Sequence, residues 1–222
     1  TTLFRSVRIW ADNKEYSVTG RGYGPEGQFE LNGEDVDLSD HPTLRHTLWG
    51  GTLCNDAVLE KDGGDGTEYR MVGDPTEGAM VVAAAKAGYW HDEVQKSFPR
   101  VNEIPFDSER KRMTTVHALD GIDHGGLSPV KPVPSGAGYV AVVKGAPDLV
   151  LDRCTAMQTD SGSVAMTSEM KETILNANAA MARQALRVLA VAYKPLEEMP
   201  QEPDPNTMEQ ELVFVGLEGM ID

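Results

Sequence analysis

The 222-residue sequence predicts a fold in which helices and strands intermingle, of the α/β or α+β class. Two observations predict this class. Short runs of alternating apolar residues, typical of strands, recur along the chain, and stretches with helix-start signals lie between them. Because periodicity does not distinguish parallel from antiparallel pairing, the residues alone leave the type of sheet open.

Apolar runs predict the strands, and Gly- or Pro-rich segments between them predict loops and turns. The predicted strands are 7–11, 15–19, 67–72, 111–119, 138–143, 187–193 and 211–216. The predicted loops and turns are 20–28, 61–66, 121–138 and 194–210. The segment 20–28 holds only part of a GxGxxG pattern and no helix follows it, so it is expected to be a loop and not a dinucleotide-binding turn.

Helix-start and helix-stop residues predict four helices, at 40–60, 73–89, 146–154 and 167–186. The second of these has the fullest set of signals. Asp74 is in position to cap the helix, Pro75 suits its first position, Glu77 lies three residues after the cap, and Gly88 suits its end. Asp74 and Glu77 together are therefore expected to form a capping box that holds backbone N–H groups.

The first predicted helix, 40–60, carries conflicting signals. Asp40 and Pro42 favour a helix start at this point. The adjacent pair Gly50 and Gly51 is expected to break or kink the helix, because glycine is a poor helix former.

The composition is that of an acidic globular protein, with 35 Asp+Glu against 20 Lys+Arg and a formal net charge of −15. This charge argues against binding to nucleic acid and against docking to anionic lipid, both of which need a broad basic surface. No apolar run approaches the roughly 20 residues of a membrane span. The chain has no initiator Met and no signal peptide, so we expect a piece of a longer protein.

The cysteines and histidines indicate no metal site. Cys54 and Cys154 are far apart and belong to no Cys/His cluster, so two buried free thiols are expected in preference to a disulfide. The five histidines are scattered without acidic residues at metal-ligand spacing.

The stretch "PFDSERKRMTTV" (105–116) combines an aromatic residue with a small basic patch in an acidic chain. Phe106 precedes the adjacent cations Arg110, Lys111 and Arg112. A ring beside such cations is suited to stacking a base while the cations meet phosphates. The alternative is a solvated hairpin in which the ring covers the core.

The stretch "VVKGAPDLVL" (142–151) runs from a predicted strand into a predicted helix. Free N–H groups at a helix start attract anions, and Gly145 would let a ligand approach the backbone beside Lys144. The alternative is a tight strand–helix connection with an exposed lysine. A P-loop is excluded, because the GxxxxGK[ST] spacing is absent.

Three motifs in this order resemble one family: "DPTEGAM", "FDSERKRM" and "VVKGAPD", followed by "LRVLAVAY" (186–193) and the terminal "GLEGMID". The chain resembles the cytosolic nucleotide-binding (N) domain of P-type cation-transporting ATPases, in the calcium-pump-like branch. The resemblance covers nearly the whole of 1–222 and implies one α+β domain, a twisted antiparallel sheet flanked by helix clusters.

The resemblance also implies the roles of individual residues. The ring of Phe106 would stack on adenine with Met113 and Leu189 beside it, and Glu77 would bind the adenine amine. Lys111, Lys144, Gly145 and Arg187 would border the phosphates or close the pocket. The implied ATP-binding residues are Glu77, Phe106, Lys111, Met113, Lys144, Gly145, Arg187 and Leu189. Asp148 stands where the family usually has Glu, outside the implied pocket.

In the activity implied by the resemblance, the domain delivers the γ-phosphate of ATP to an aspartate in a neighbouring domain, with Mg²⁺ bound in the full-length pump. The expected partners are the phosphorylation and actuator domains of the same chain, with no nucleic acid and no direct membrane contact. The fragment is expected to face the cytosol and to be inactive alone. Calcium is the transported ion that the resemblance implies, and sodium, potassium or protons stay open. The alternative function is a non-catalytic nucleotide sensor or a protein-interaction module.

Overall fold

The computed structural model describes residues 5–62, 68–119, 137–199 and 202–221. The strands are β1 (Arg5–Ala11), β2 (Lys14–Val18), β3 (Phe29–Leu31), β4 (Glu34–Asp35), β5 (Val58–Asp62), β6 (Glu68–Val72), β7 (Arg100–Asp107), β8 (Arg112–Ala118), β9 (Tyr139–Gly145), β10 (Cys154–Thr159), β11 (Gly162–Ala165), β12 (Arg187–Leu196) and β13 (Leu212–Ile221). The helices are α1 (Pro42–Leu53), α2 (Pro75–Lys86), α3 (His91–Ser97), α4 (Pro147–Leu151), α5 (Ser168–Arg183) and α6 (Pro205–Met208).

A single large sheet organises the described part of the chain. Its strands lie in the order β4-β3-β2-β1-β13-β12-β9-β8-β7, with β10 pairing β13 and β11. The pairings are antiparallel except that of β10 with β13, which is parallel. β5 and β6 form a separate hairpin. The predicted α+β class with a mainly antiparallel sheet is therefore confirmed.

The central strands of the sheet are buried on both faces, because helices pack against each face. Along β12, Val191 and Tyr193 join the apolar cluster that includes α1, α2 and α3, whereas Ala190 and Ala192 join the cluster that includes α4 and α5. Successive strand residues point to opposite faces, so an almost uninterrupted apolar run is what a strand covered on both sides requires.

Helix α1 continues through its glycine pair, contrary to the predicted break, and ends at Leu53, before the predicted end at residue 60. A Cβ on Gly50 would lie 2.7 Å from Cγ1 of Val191, and one on Gly51 would lie 2.7 Å from Oε1 of Glu218. The glycines thus allow the helix to pack closely on the sheet, and tertiary packing outweighs their poor helix propensity.

The start of α1 also differs from the prediction that Asp40 begins the helix. Asp40 lies in a 3₁₀ turn, and the residue preceding the helix is His41. The N–H of Thr43 in the first turn donates to Asp160 Oδ1 at 3.0 Å. A carboxylate from the turn between β10 and β11 therefore caps the helix, and no local pattern signals such a contact.

Several short or edge elements were not predicted from the sequence. The most consequential is β7, which carries Phe106 and lies at one edge of the sheet with mostly exposed or half-buried residues. Such a strand lacks the apolar alternation that marks a buried one. Most of the predicted segments 61–66 and 121–138 lies outside the described residues, while 20–28 is a loop, as predicted.

Both cysteines are free and buried, as expected. Burial raises the pKa of the Cys54 thiol, and it raises the pKa of Cys154 to about 12. Both thiols are therefore neutral at physiological pH. In the part of the chain that the structure describes, no helix is long and apolar enough to cross a membrane.

Candidate functional site

A cavity of about 340 Å³ opens where strands β8, β9 and β12 meet the first turn of α2 and the end of β7. Its lining comes from these three strands, the cap and first turn of α2, and the exposed ring at the end of β7. The lining residues are Asp74, Thr76, Glu77, Phe106, Met113, Lys144, Gly145, Arg187 and Leu189.

Phe106 presents an aromatic face to solvent beside the cavity, with 64% of its surface exposed. A ring this exposed contributes little to the core, so the alternative in which Phe106 covers the core is wrong, and the ring is accessible to a ligand in the cavity. Met113 and the half-buried Leu189 add apolar surface nearby. These three side chains suit the flat, apolar faces of an aromatic ligand.

Lys144 and Glu77 form an ion pair inside the cavity, with Lys144 Nζ 2.7 Å from Glu77 Oε1. Only 5% of the Lys144 side chain is exposed. A lysine this buried needs a compensating carboxylate, which Glu77 supplies. The alternative interpretation of this strand–helix connection, in which Lys144 is exposed on the surface, is therefore wrong.

The predicted capping box is only half correct. Asp74 accepts hydrogen bonds from the N–H groups of Thr76 and Glu77, at 2.8 and 3.3 Å, and so caps α2 as expected. The Glu77 carboxylate instead accepts from Lys144 and, at 3.2 Å, from the N–H of Asp56. The unused carboxylate lone pairs can accept further donors from a ligand.

Gly145 has a packing role that the sequence did not reveal. A Cβ at this position would lie 2.4 Å from Cβ of Arg112 and 2.5 Å from the carbonyl oxygen of Lys111. The N–H of Ala146, at the start of α4, donates to that same oxygen at 3.0 Å. Gly145 therefore lets β8 and β9 approach each other, and the Ala146 N–H expected to attract an anion is already bonded.

The basic patch divides into two parts with different surroundings. Arg110 and Arg112 both form ion pairs with the buried carboxylate of Glu209. Lys111 is exposed in the turn between β7 and β8, and among the described residues no carboxylate lies within 4.0 Å of its Nζ. The interpretation that the whole patch meets a polyphosphate is therefore wrong for the two arginines, since an internal carboxylate binds them.

Arg187, at the start of β12, is an exposed cation at the margin of the cavity. Its Nη1 donates to Thr76 Oγ1 at 3.1 Å, and within the described ranges no carboxylate lies within 4.0 Å of its guanidinium. The cavity lining as a whole contains Asp74, Glu77, Lys144 and Arg187, so its formal charge is zero in a chain of net charge −15. The cavity thus opposes an anionic ligand less than the rest of the surface does.

Comparison with known proteins identifies the family. A family model described as "P-type ATPase, cytoplasmic domain N" matches residues 43–222. The chain belongs to this N-domain family. The mixed fold and the predicted resemblance agree with that match.

Relatives of this N domain include whole transport proteins. The calcium-transporting ATPase of Bacillus subtilis is 34% identical over 216 residues, covering 97% of this chain and 22% of that protein. The cation-transporting ATPase pma1 of Synechocystis is 38% identical over 221 residues, covering 96% of this chain and 22% of that protein. Calcium-transporting ATPase 1 of Lactococcus lactis is 34% identical over 197 residues, covering 89% of this chain and 19% of that protein. The N domain thus spans about a fifth of the length of these relatives.

The structure brings together seven of the eight residues that the resemblance implied for the site of this N domain. Only Lys111 lies beside the cavity without lining it. Sequence reasoning missed Thr76 as a lining residue and gave Asp74 only a capping role. Their positions within four residues of Glu77, in one helical turn, were the available signal.

Proposed function

We propose that this N domain binds ATP in the cavity and, within a longer P-type cation-transporting ATPase, delivers the γ-phosphate to an aspartate of a neighbouring domain. The observation that carries the proposal is the convergence of an exposed ring, Phe106, with Lys144, Glu77 and Arg187 on one cavity. These residues come from four elements that are far apart in sequence.

The binding mode proposed for the base uses the apolar side of the cavity. Phe106 stacks on the adenine with Met113 and Leu189 beside it, and stacking of a base on one ring contributes about 1–3 kcal/mol. Glu77 accepts a hydrogen bond from the exocyclic amine of adenine, using lone pairs that Lys144 and the Asp56 N–H leave free. Guanine presents a carbonyl at that position, so adenine is favoured.

The binding mode proposed for the phosphates uses the cations at the margin. Arg187 and Lys111 are exposed, and Lys144 lies deeper, beside Glu77. Cations lower the cost of bringing a polyphosphate to an otherwise acidic surface. Lys111 extends toward the phosphates from its turn beside the cavity.

The chemistry of the whole protein is in-line phosphoryl transfer, in which positioning and charge neutralisation dominate. The N domain contributes binding and orientation of ATP, and hinge closure brings the nucleotide to the phosphorylation and actuator domains. Mg²⁺ supplies charge neutralisation at the phosphates. We place the protein ligands of Mg²⁺ in the neighbouring domain.

The proposed cation is calcium, and the proposed location of the domain is the cytosolic side of a membrane protein. The names of the Bacillus subtilis and Lactococcus lactis relatives, both calcium-transporting ATPases, support the choice of ion. The description of the family as a cytoplasmic domain supports the location. Alone, the chain is proposed to bind ATP and not to hydrolyse it.

Titration of the 222-residue chain with ATP tests the proposed site, by calorimetry and by amide NMR. Phe106→Ala should weaken binding by roughly 5- to 150-fold, the equivalent of losing 1–3 kcal/mol of stacking. It should leave the fold intact, because the ring is mostly exposed. Asp148→Glu is the matched control: Asp148 is exposed on α4 and does not line the cavity, so its variant should bind like the wild type.

Two results would count against the proposal. If ATP shifts no resonance near Phe106 and Lys144, the domain does not use this cavity. If the Phe106→Ala and Asp148→Glu variants bind ATP equally well, the pocket is misplaced. Delivery to an aspartate is tested separately by the parent open reading frame, which should encode "DKTGT" upstream of this chain.

A further inference from the structure

Glu209, the residue after α6, is a carboxylate with no exposed surface. Both of its oxygens bind the hairpin formed by β7 and β8. Oε2 accepts from Nε of Arg112 at 2.6 Å, and Oε1 accepts from Oγ1 of Thr114 at 2.9 Å and from the guanidinium of Arg110. A buried carboxylate that two guanidiniums satisfy is held firmly, because such charge-assisted bonds are about twice as strong as neutral ones.

The same two guanidiniums also donate to the backbone carbonyls that directly precede two of the site residues. Nη2 of Arg110 donates to the carbonyl of Pro105 at 2.7 Å, and Pro105 directly precedes Phe106. Nη1 of Arg112 donates to the carbonyl of Arg110 at 3.0 Å, and Arg110 directly precedes Lys111. One buried carboxylate therefore orients two side chains that fix the backbone next to the ring and next to the exposed ammonium.

The turn between β7 and β8 places Lys111 in a left-handed backbone conformation. Lys111 has φ of 50°, in the left-handed region that costs a non-glycine residue about 1–2 kcal/mol. Its N–H donates to the carbonyl of Asp107 at 2.6 Å, and its own carbonyl accepts from Ala146. If the guanidiniums lost their common partner, their bonds to the carbonyls of Pro105 and Arg110 would no longer be oriented, and Phe106 and Lys111 would be held less firmly.

We propose that Glu209 is a positioning residue for the nucleotide site. By orienting Arg110 and Arg112, it sets where the Phe106 ring and the Lys111 ammonium lie at the edge of the cavity. The proposal rests on the proposed function, because those two groups matter to binding only if ATP occupies the cavity.

Glu209→Gln in the 222-residue chain tests the proposal, since it keeps the volume and removes the charge. ATP affinity measured by calorimetry should fall by more than about twofold, toward that of Phe106→Ala, because the ring and the ammonium would no longer be held at the cavity. Glu211→Gln is the matched control in the same segment. Its carboxylate is 77% exposed and lies 3.5 Å from Lys194, away from the hairpin, so this variant should bind ATP like the wild type.

Arg110→Gln provides a second variant that does not depend on replacing a fully buried group, since 22% of the Arg110 side chain is exposed. It should also weaken ATP binding. The Glu209→Gln/Arg110→Gln double variant should have nearly the same ATP affinity as the single variant that binds ATP less tightly. The two effects should not add, because both changes break one connected set of contacts. If Glu209→Gln does not fold, Arg110→Gln alone decides.

NMR without nucleotide gives a readout that is independent of ATP. The amide resonance of Lys111 and the ring resonances of Phe106 should shift in Glu209→Gln and stay in place in Glu211→Gln. If the wild type binds ATP and Phe106→Ala weakens it, yet Glu209→Gln and Arg110→Gln bind within about twofold of wild type, this inference alone is overturned. If the wild type binds no ATP, the proposed function fails and the inference falls with it.

Discussion

Glu218 on β13 should make the stability of the domain fall as the pH rises from 6.5 to 8. Its carboxyl group has no exposed surface, and burial raises its pKa to about 8 even though Ser6 and the charge of Lys144 act to lower it. Oε2 lies 3.0 Å from Ser6 Oγ, and Gly51 of α1 faces Oε1. The group is therefore neutral in the folded protein at pH 7.

The hydrogen bonds around Glu218 agree with a protonated carboxyl group. The Ser6 hydroxyl lies near two acceptors, Oε2 of Glu218 and the carbonyl of Ala79 at 3.2 Å, yet it has only one proton to donate. A protonated Glu218 removes the conflict, because it donates to Ser6 Oγ while Ser6 donates to Ala79. Strand β1, strand β13 and helix α2 are thereby linked.

The magnitude follows from proton linkage. Unfolding lets Glu218 return to a pKa of 4.5, so the unfolded chain loses the proton while the folded chain keeps it. The stabilisation is complete below pH 4.5 and is lost as the pH rises through about 8. Between pH 6.5 and 8 the free energy of unfolding should fall by about 1–2 kcal/mol from this group.

The assay is urea unfolding of the wild type and of Glu218→Gln, followed by circular dichroism at pH 6.5, 7, 7.5 and 8. The difference between the two proteins isolates the carboxyl group. His46 and His117, whose pKa values burial lowers to about 3 and about 4, contribute equally to both proteins and cancel. A difference in unfolding free energy that stays constant across this range would show that Glu218 is already ionised at pH 6.5 in the folded state.

Two further predictions concern the cavity. Glu77→Gln should reduce the preference for ATP over GTP, because an amide with N–H donors replaces the carboxylate proposed to accept the adenine amine. Calorimetry with both nucleotides checks this. An unchanged ratio of the two affinities would remove the role of Glu77. Gly145→Ala should lower the free energy of unfolding by about 1–3 kcal/mol through overpacking, since the new methyl would lie 2.4 Å from Cβ of Arg112. Urea unfolding checks this. An unchanged midpoint would show that strands β8 and β9 move apart freely.

Local sequence signals were reliable where a residue's partner is near it in the chain. The cap of α2 by Asp74, whose partners are two and three residues away, was predictable for this reason. The strands at 138–143 and 187–193 were predictable because a strand buried on both faces must be apolar throughout. The edge strand β7 carries no such pattern, and its detection required knowledge of the strand it pairs with, β8.

The candidate site was predictable mainly through resemblance. From the residues alone, the basic stretch around Phe106 and the strand–helix junction at Lys144 each had a purely structural alternative, a solvated hairpin and a tight connection. Three motifs in a fixed order outweighed those alternatives, because together they resemble one family, whose model matches residues 43–222. Whether the residues bind ATP stays a prediction until the titration is done.

The sequence by itself determined most of the buried strands and longer helices, most of the residues that line the cavity and the family that the chain resembles. Only the tertiary structure decided which charges face a ligand and which are used internally. Arg110 and Arg112 meet Glu209 at sequence separations of 99 and 97 residues, and Lys144 meets Glu77 at 67. A charge takes whichever partner the fold brings within hydrogen-bond distance, and no local pattern encodes that distance.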